Sequence, residues 1–269
     1  QLETRLKLVS DSLYTFVSSD IDSVKNLYLS IIDSTAKQPP LAQKVSTHFN
    51  RGKNKFYQLT GDTLDTPFPL NEILIIQPNG IVHKAVTRTP LSDVVPLDLN
   101  TRNYFTQVAK KDGSWPSKTD DGIHFYIESI KSYNTAKGET AFSFHNAKND
   151  SLPVTAITSA VPSLYYQVLP KDIEYVIINS SGDVLYHSIK SKNLHENFVA
   201  ECETNSKLLK AIDLRIADIV HINYNEKKWM ARIVPINETP LYHITLLDIS
   251  QTDNKNARIF LFTFYFLFI

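Results

Sequence analysis

With 269 residues, 42% of them hydrophobic and 21% charged, the chain is long enough to bury one large core or two of ordinary size. Lys and Arg together number 28, as do Asp and Glu, so the net charge is zero and no basic stripe offers nucleic acid an electrostatic footprint. The 13 Tyr and 14 Phe against 7 Gly suit a sheet-rich protein better than a glycine-loop nucleotide binder, and the single Cys202 excludes an intrachain disulfide or a cysteine-built metal site.

From the start of the chain, apolar side chains recur at Leu2, Leu6, Val9, Leu13, Val17, Ile21, Val24, Tyr28 and Ile31, always three or four residues apart, with Asp11, Asp20, Asp22 and Lys25 between them. That period predicts one long amphipathic helix of roughly 30 residues. Such a helix either covers core or pairs with a copy of itself, so a homodimer through it is one expectation. Pro39 and Pro40 then punctuate the chain, and residues 41–66 read as a short helix followed by a polar loop.

Short β-prone segments follow at 73–76, 81–86, 123–127, 140–144 and 154–158, with a helical piece near 101–111. Glu72-Ile-Leu-Ile-Ile-Gln-Pro-Asn-Gly80 matches Glu174-Tyr-Val-Ile-Ile-Asn-Ser-Ser-Gly182 position for position, at an offset of 174 − 72 = 102 residues. Both copies read strand, glycine-containing turn, strand, and both continue to a histidine, His83 or His187. In the second half a helical stretch over 194–212 and strands at 219–224, 228–234 and 242–247 complete the order. Two strands, helices and three strands make a PAS-like module, so the fold class is α+β: a long N-terminal helix and two PAS-like modules, each an antiparallel sheet flanked by helices. The corresponding division is 1–66 for the helix and its connection, 67–169 for a first module, 170–250 for a second, and 251–269 for a linker and an apolar end. Ile259–Ile269 is uncharged and follows Lys255 and Arg258. It suits the first half of a membrane span, or a buried terminal strand.

The chain resembles the double Cache family of sensor ectodomains over nearly its whole length. The residues that carry the likeness are Asp98-Leu-Asn-Thr-Arg102-Asn-Tyr104-Phe105, which resembles the helix motif of the family's membrane-distal module, and Asn134-Thr-Ala-Lys-Gly138-Glu, which resembles a turn between that module's later strands. Val168-Leu-Pro170 onward to Ser188, and Lys192-Asn-Leu-His-Glu-Asn-Phe198, resemble the start of the proximal module. The resemblance implies an extracytoplasmic, membrane-anchored sensor feeding a histidine kinase, a chemoreceptor or a cyclic-nucleotide enzyme, with the ligand in the distal module. Amino-acid-binding members carry Trp where this chain has Tyr104, which puts that specificity in doubt.

Arg102 presents a planar fork of donors that matches a carboxylate bidentately. A surface ion pair with Asp98, four residues earlier, is the competing role. Tyr104 and Phe105 stand beside it, and Phe125 or Tyr126, Glu128, Ser129 and Phe142 are the strand residues available to line the site, Glu128 being able to meet an ammonium. Which of them point inward depends on a register that sequence does not fix. The expected partner is a small carboxylate or amino-acid-like ligand. The eight histidines show no metal spacing, and nucleophile elbows, phosphate loops and dinucleotide fingerprints do not occur, so neither a cofactor, a metal nor catalysis is expected of this region. In the second module His187, Asn223 and Trp229 are polar groups open to either ligand or structural roles.

Overall fold

A computed structural model describes residues 1–34, 45–51, 54–59, 70–87, 98–109, 117–118, 123–132, 138–146, 149–159, 161–165 and 168–250. The apolar stripe of the N-terminus does form one helix, α1 (Leu2–Ser34). Its buried positions, Leu6, Leu13, Val17, Ile21, Val24, Tyr28 and Ile31, are those the period predicts. The chain divides into two compact units. One comprises Gln1–Thr15, Gln167–Ile236 and Pro240–Ile269, and the other Phe16–Tyr166 with Asn237–Thr239. In the order named they are the proximal and distal units, labels that follow the expected modules, and each has its share of α1.

The distal unit is built on an 8-stranded sheet ordered β1-β2-β4-β3-β8-β7-β6-β5. Its centre consists of β3 (Leu70–Ile76), β4 (Val82–Thr87), β6 (His124–Lys131), β7 (Gly138–His145) and β8 (Val154–Ser159), each antiparallel to the next of these in the sheet. These are the strands expected from sequence. Residues 41–66 are a correction: β1 (Val45–Arg51) and β2 (Asn54–Leu59) form a hairpin there, and β2 joins the sheet parallel to β4. Val45, Thr47, Phe49, Phe56 and Tyr57 are β-branched or aromatic, and pairing at an open sheet edge outweighs the weak helical pattern. The two-residue β5 (Ser117–Lys118) closes the other edge.

One face of this sheet packs on the second half of α1. Tyr28 stacks on Phe144 with centroids 4.2 Å apart and planes 9° from parallel, and its hydroxyl donates to the His145 carbonyl at 3.0 Å. The other face is covered by α2 (Asn103–Ala109), whose Tyr104, Phe105 and Val108 bury against Leu74, Ile76, Val82, Ala85, Ile130 and Ala141. The four-residue α3 (Pro162–Tyr165) follows β8, with the Ser163 amide donating to Asp20 at 3.2 Å.

The proximal unit repeats the plan with a 5-stranded antiparallel sheet, ordered β10-β9-β13-β12-β11. Its strands are β9 (Ile173–Ile178), β10 (Val184–His187), β11 (Asp218–Tyr224), β12 (Lys227–Pro235) and β13 (Tyr242–Asp248). The first half of α1 covers one face, where Leu6 joins Ile173, Met230 and Leu247. Arg5 donates twice to Asp172, at 2.5 and 2.8 Å, and Arg232 reaches Asp11 at 2.7 Å. The helical stretch expected over 194–212 is interrupted: α4 (Phe198–Glu201) and α5 (Ser206–Asp213) are separate helices on the opposite face. Between them Glu203 and Thr204 adopt φ of 53° and 54°, and Asn205 caps α5 by accepting from the Lys207 and Leu208 amides. A 3-10 turn, Lys190–Lys192, links β10 to this pair.

The internal repeat is visible in the backbone. Gly80 and Gly182 close equivalent hairpins at φ of 84° and 86°. In each, the glycine carbonyl then accepts from the segment that starts the next helix: from Leu99 at 2.9 Å in the first copy and Phe198 at 2.8 Å in the second. A Cβ on Gly80 would lie 2.6 Å from the Asn100 nitrogen, and one on Gly182 2.7 Å from a Val199 methyl. Glycine is therefore required twice over, by φ and by the close approach of the following segment. Among the described residues no helix is long and apolar enough to cross a membrane. The apolar stretch Ile259–Ile269 lies outside them, as does the turn at 134–137.

Candidate functional site

The distal hairpin places the residues ahead of α2. Asp98 bridges to Ile81, and its carboxylate accepts from the Asn100 amide at 3.0 Å and from the Asn100 side chain at 3.2 Å. That short polar knot delivers Arg102 to the start of the helix, where its carbonyl accepts from Phe105 and Thr106. Arg102 is partly buried, and its Nη2 donates to the Lys131 carbonyl at the end of β6, at a long 3.4 Å.

Strand β6 lies beneath. Its register with β7 pairs Phe125 with Phe144, Tyr126 with Ser143, Ile127 with Phe142, Glu128 with Ala141 and Ser129 with Thr140. Directly opposed residues share a face, and Ala141 and Ile130 belong to the α2 core. Tyr126, Glu128 and Ser143 therefore face α2, together with Arg102 and Tyr104. Phe125, Ser129 and Phe142 lie on the opposite face, where Lys25 of α1 stands 5.3 Å from the Phe125 ring. The expected site residues thus divide: Arg102, Tyr104, Tyr126 and Glu128 come together, and Phe125, Ser129 and Phe142 do not join them.

Glu128 ties the group. Its carboxylate accepts from the Tyr104 amide at 3.0 Å and from the Asn103 side chain at 3.3 Å. Burial raises its pKa above the ordinary carboxylate value, opposed by those two hydrogen bonds and by the charge of Arg102. Burial also raises the Tyr126 phenol, and the neighbouring Glu128 adds to it. Across the strand pair the Ser143 hydroxyl is sealed from solvent and has no hydrogen-bond partner among the described residues. Glu139, also buried, follows Ala141 on the same face by alternation. Tyr104 itself is core, packed under α2.

The arrangement offers a cationic fork, a partly buried carboxylate, a phenol and a hydroxyl on one apolar sheet face. That is the complement of a small molecule with both charges. Sequence reasoning missed Asn103, Ser143 and Glu139. Asn103 was signalled by its type, a short amide at a helix start. Ser143 and Glu139 needed the register. In the proximal unit His187 and Trp229 are buried, with the Trp229 indole donating to the Tyr224 carbonyl at 2.9 Å, whereas Asn223 is exposed.

No protein-family profile and no curated protein matches the chain. Solved structures do. The extracellular domain of the candidate histidine kinase rpHK1S-Z16 superposes with a TM-score of 0.62 at 14% identity, over 92% of this chain and 95% of its own. The ligand-binding domain of the Pseudomonas aeruginosa PAO1 amino acid chemoreceptor PctB, in complex with L-Arg, gives 0.56 at 9% identity over 93% and 95%. That of the Pseudomonas fluorescens chemoreceptor CtaA, in complex with L-serine, gives 0.56 at 11% identity over 92% and 95%. The chain therefore has the long-helix, two-module fold of extracellular receptor sensor domains, consistent with the double Cache resemblance of its sequence.

Proposed function

We propose that this chain is the extracytoplasmic ligand-sensing region of a membrane-anchored receptor, most simply a sensor histidine kinase, and that it binds a small amino-acid-like molecule on the α2 face of its distal module. The observation that carries the reading is the partly buried Glu128 carboxylate, held beside Arg102 by the start of α2. Arg102 takes the ligand carboxylate, Glu128 its ammonium, and Tyr126 supplies the wall. The likeness to chemoreceptor domains in complex with L-Arg and L-serine supports the ligand class. Signalling is a population shift: the ligand favours whichever arrangement of α2 on the sheet it binds more tightly, by no more than that difference in affinity.

The test is a thermal-shift screen of the protein against amino acids, carboxylates, amines and purines. At a hundredfold excess over Kd a ligand adds about 2.7 kcal/mol of apparent stability. Arg102→Ala and Glu128→Gln are expected to keep the fold and lose the shift. A shift unchanged in both variants would remove the site from these residues.

A further inference from the structure

The α4 and α5 face of the proximal sheet carries a polar knot at one end. Tyr224 of β11 is buried, and its hydroxyl donates to Glu196 Oε2 at 2.7 Å. Lys192, leaving the 3-10 turn, donates from Nζ to that same hydroxyl at 2.6 Å and to Glu196 Oε1 at 3.2 Å. Its ammonium stands 4.3 Å from the centroid of the Tyr224 ring, within cation–π range. His187 fixes the phenol from the other side. The Ile189 amide donates to His187 Nδ1 at 2.8 Å, so that nitrogen carries no proton, and the protonated Nε2 faces the Tyr224 oxygen at 3.0 Å. The turn that presents Lys192 is pinned in its turn, the His187 amide donating to the Asn193 side chain at 2.7 Å.

A second carboxylate stands behind the first. Glu174 of β9 places Oε2 3.9 Å from His187 Nε2, and that oxygen is sealed from solvent with no hydrogen-bond partner among the described residues. Glu174 and Glu196 together face one ammonium. The neighbouring Lys227 is engaged with Asp248 at 3.2 Å, so it leaves the surplus negative charge in place. Burial raises the pKa of Glu174, and Lys192 is the first charge to oppose that rise. An aromatic ring, a phenol oxygen, one bonded carboxylate and a second behind it form a recognition set for an alkylammonium group.

We propose that the proximal module contains an alkylammonium-binding site and that its resident occupant is the module's own Lys192. The side chain, 20% exposed against 12% for Glu196, reaches in from the last residue of the short 3-10 turn, as a tethered ligand would. The free molecule that matches the site, once the Lys192 side chain is removed by substitution, is a short primary amine.

The Lys192→Ala change removes a fragment equal to n-propylamine. The variant is expected to melt a few degrees below the parent and to regain most of that loss, saturably, on addition of n-propylammonium chloride. The parent protein and Lys192→Met, whose stem fills the space, are expected not to respond. An equal effect of the amine on all three proteins, or no recovery in Lys192→Ala, would overturn the proposal. A labelling measurement on the parent protein covers the case in which Lys192→Ala does not fold. Acetylation followed by mass spectrometry should modify Lys192 at least tenfold more slowly than exposed Lys210 of α5 (roughly 1.4 kcal/mol of protection). Equal rates at the two lysines would overturn the seat of the ammonium.

Discussion

At the scale of single residues, two buried histidines give the fold a proton-dependent weakness. His187 and His243 are held below the usual histidine value of about 6.5, to about 3 and about 4, by burial first and then by Lys192 and Arg232 respectively. His243 stacks on Tyr175 with planes 4° from parallel, and its Nε2 has no hydrogen-bond partner among the described residues, so a proton there gains nothing. As pH falls below about 6.5 the unfolded chain binds protons that the folded chain refuses. Stability is therefore full above that pH and declines toward those folded values, by up to about 1.4 kcal/mol per pH unit for each histidine. Glu128 and Glu174, raised by burial, act in the opposite sense: stability is present at low pH and lost as pH rises through their folded values. Urea unfolding from about pH 7 down to about pH 4 separates the two groups. Replacing His243 or His187 with Gln should flatten the acid limb, and a limb as steep as the parent's in both variants would assign it to other groups.

At the scale of elements, the two glycine hairpins are the parts least open to change. Gly80→Ala adds a Cβ 2.6 Å from backbone at Asn100, and at a φ of 84° that alanine does not adopt freely. The expected cost is about 1–3 kcal/mol, read by denaturant unfolding, and because Asn100 lies two residues ahead of Arg102 the ligand-induced shift should weaken with it. Gly182→Ala meets side-chain atoms of Val199 and Asn197 instead, so it should destabilise the proximal unit and leave the distal response intact. The reverse pattern would mean that the hairpin does not position Arg102. The glycines, the duplicated strands and the stripe of α1 were all legible in the sequence, because each is a local pattern with a fixed period or a fixed turn. The β1–β2 hairpin was not, since β2 is held in the sheet by pairing with β4, remote in sequence, and β1 only by pairing with β2. Nor was the division of the site residues: Phe125 and Tyr126 are equally aromatic neighbours, and only the pairing with Phe144 and Ser143 tells which one faces α2.

At the scale of the whole molecule, α1 leaves large apolar side chains in solvent after both units have taken their share. Leu8 is 73% exposed and Phe16 60%. We infer that the chain pairs with a second copy through this exposed side of α1, opposite the buried apolar stripe. Sedimentation equilibrium should show a dimer that Leu8→Glu with Phe16→Glu converts to monomer, and a parent protein that is monomeric throughout would end that inference. The same helix has a consequence for how the chain comes into being. Its first half packs with residues far along the chain, as in the bond of Arg232 to the Lys7 carbonyl. Its second half belongs to a unit that, apart from Asn237–Thr239, is complete once Tyr166 has been synthesised. The sequence of one unit is thus inserted in that of the other. During translation the inner unit can close while Leu2, Leu6 and Val9 still wait, bare, for β12 and β13 to emerge, so strands made more than two hundred residues later relieve these side chains of their exposure to chaperones and aggregation.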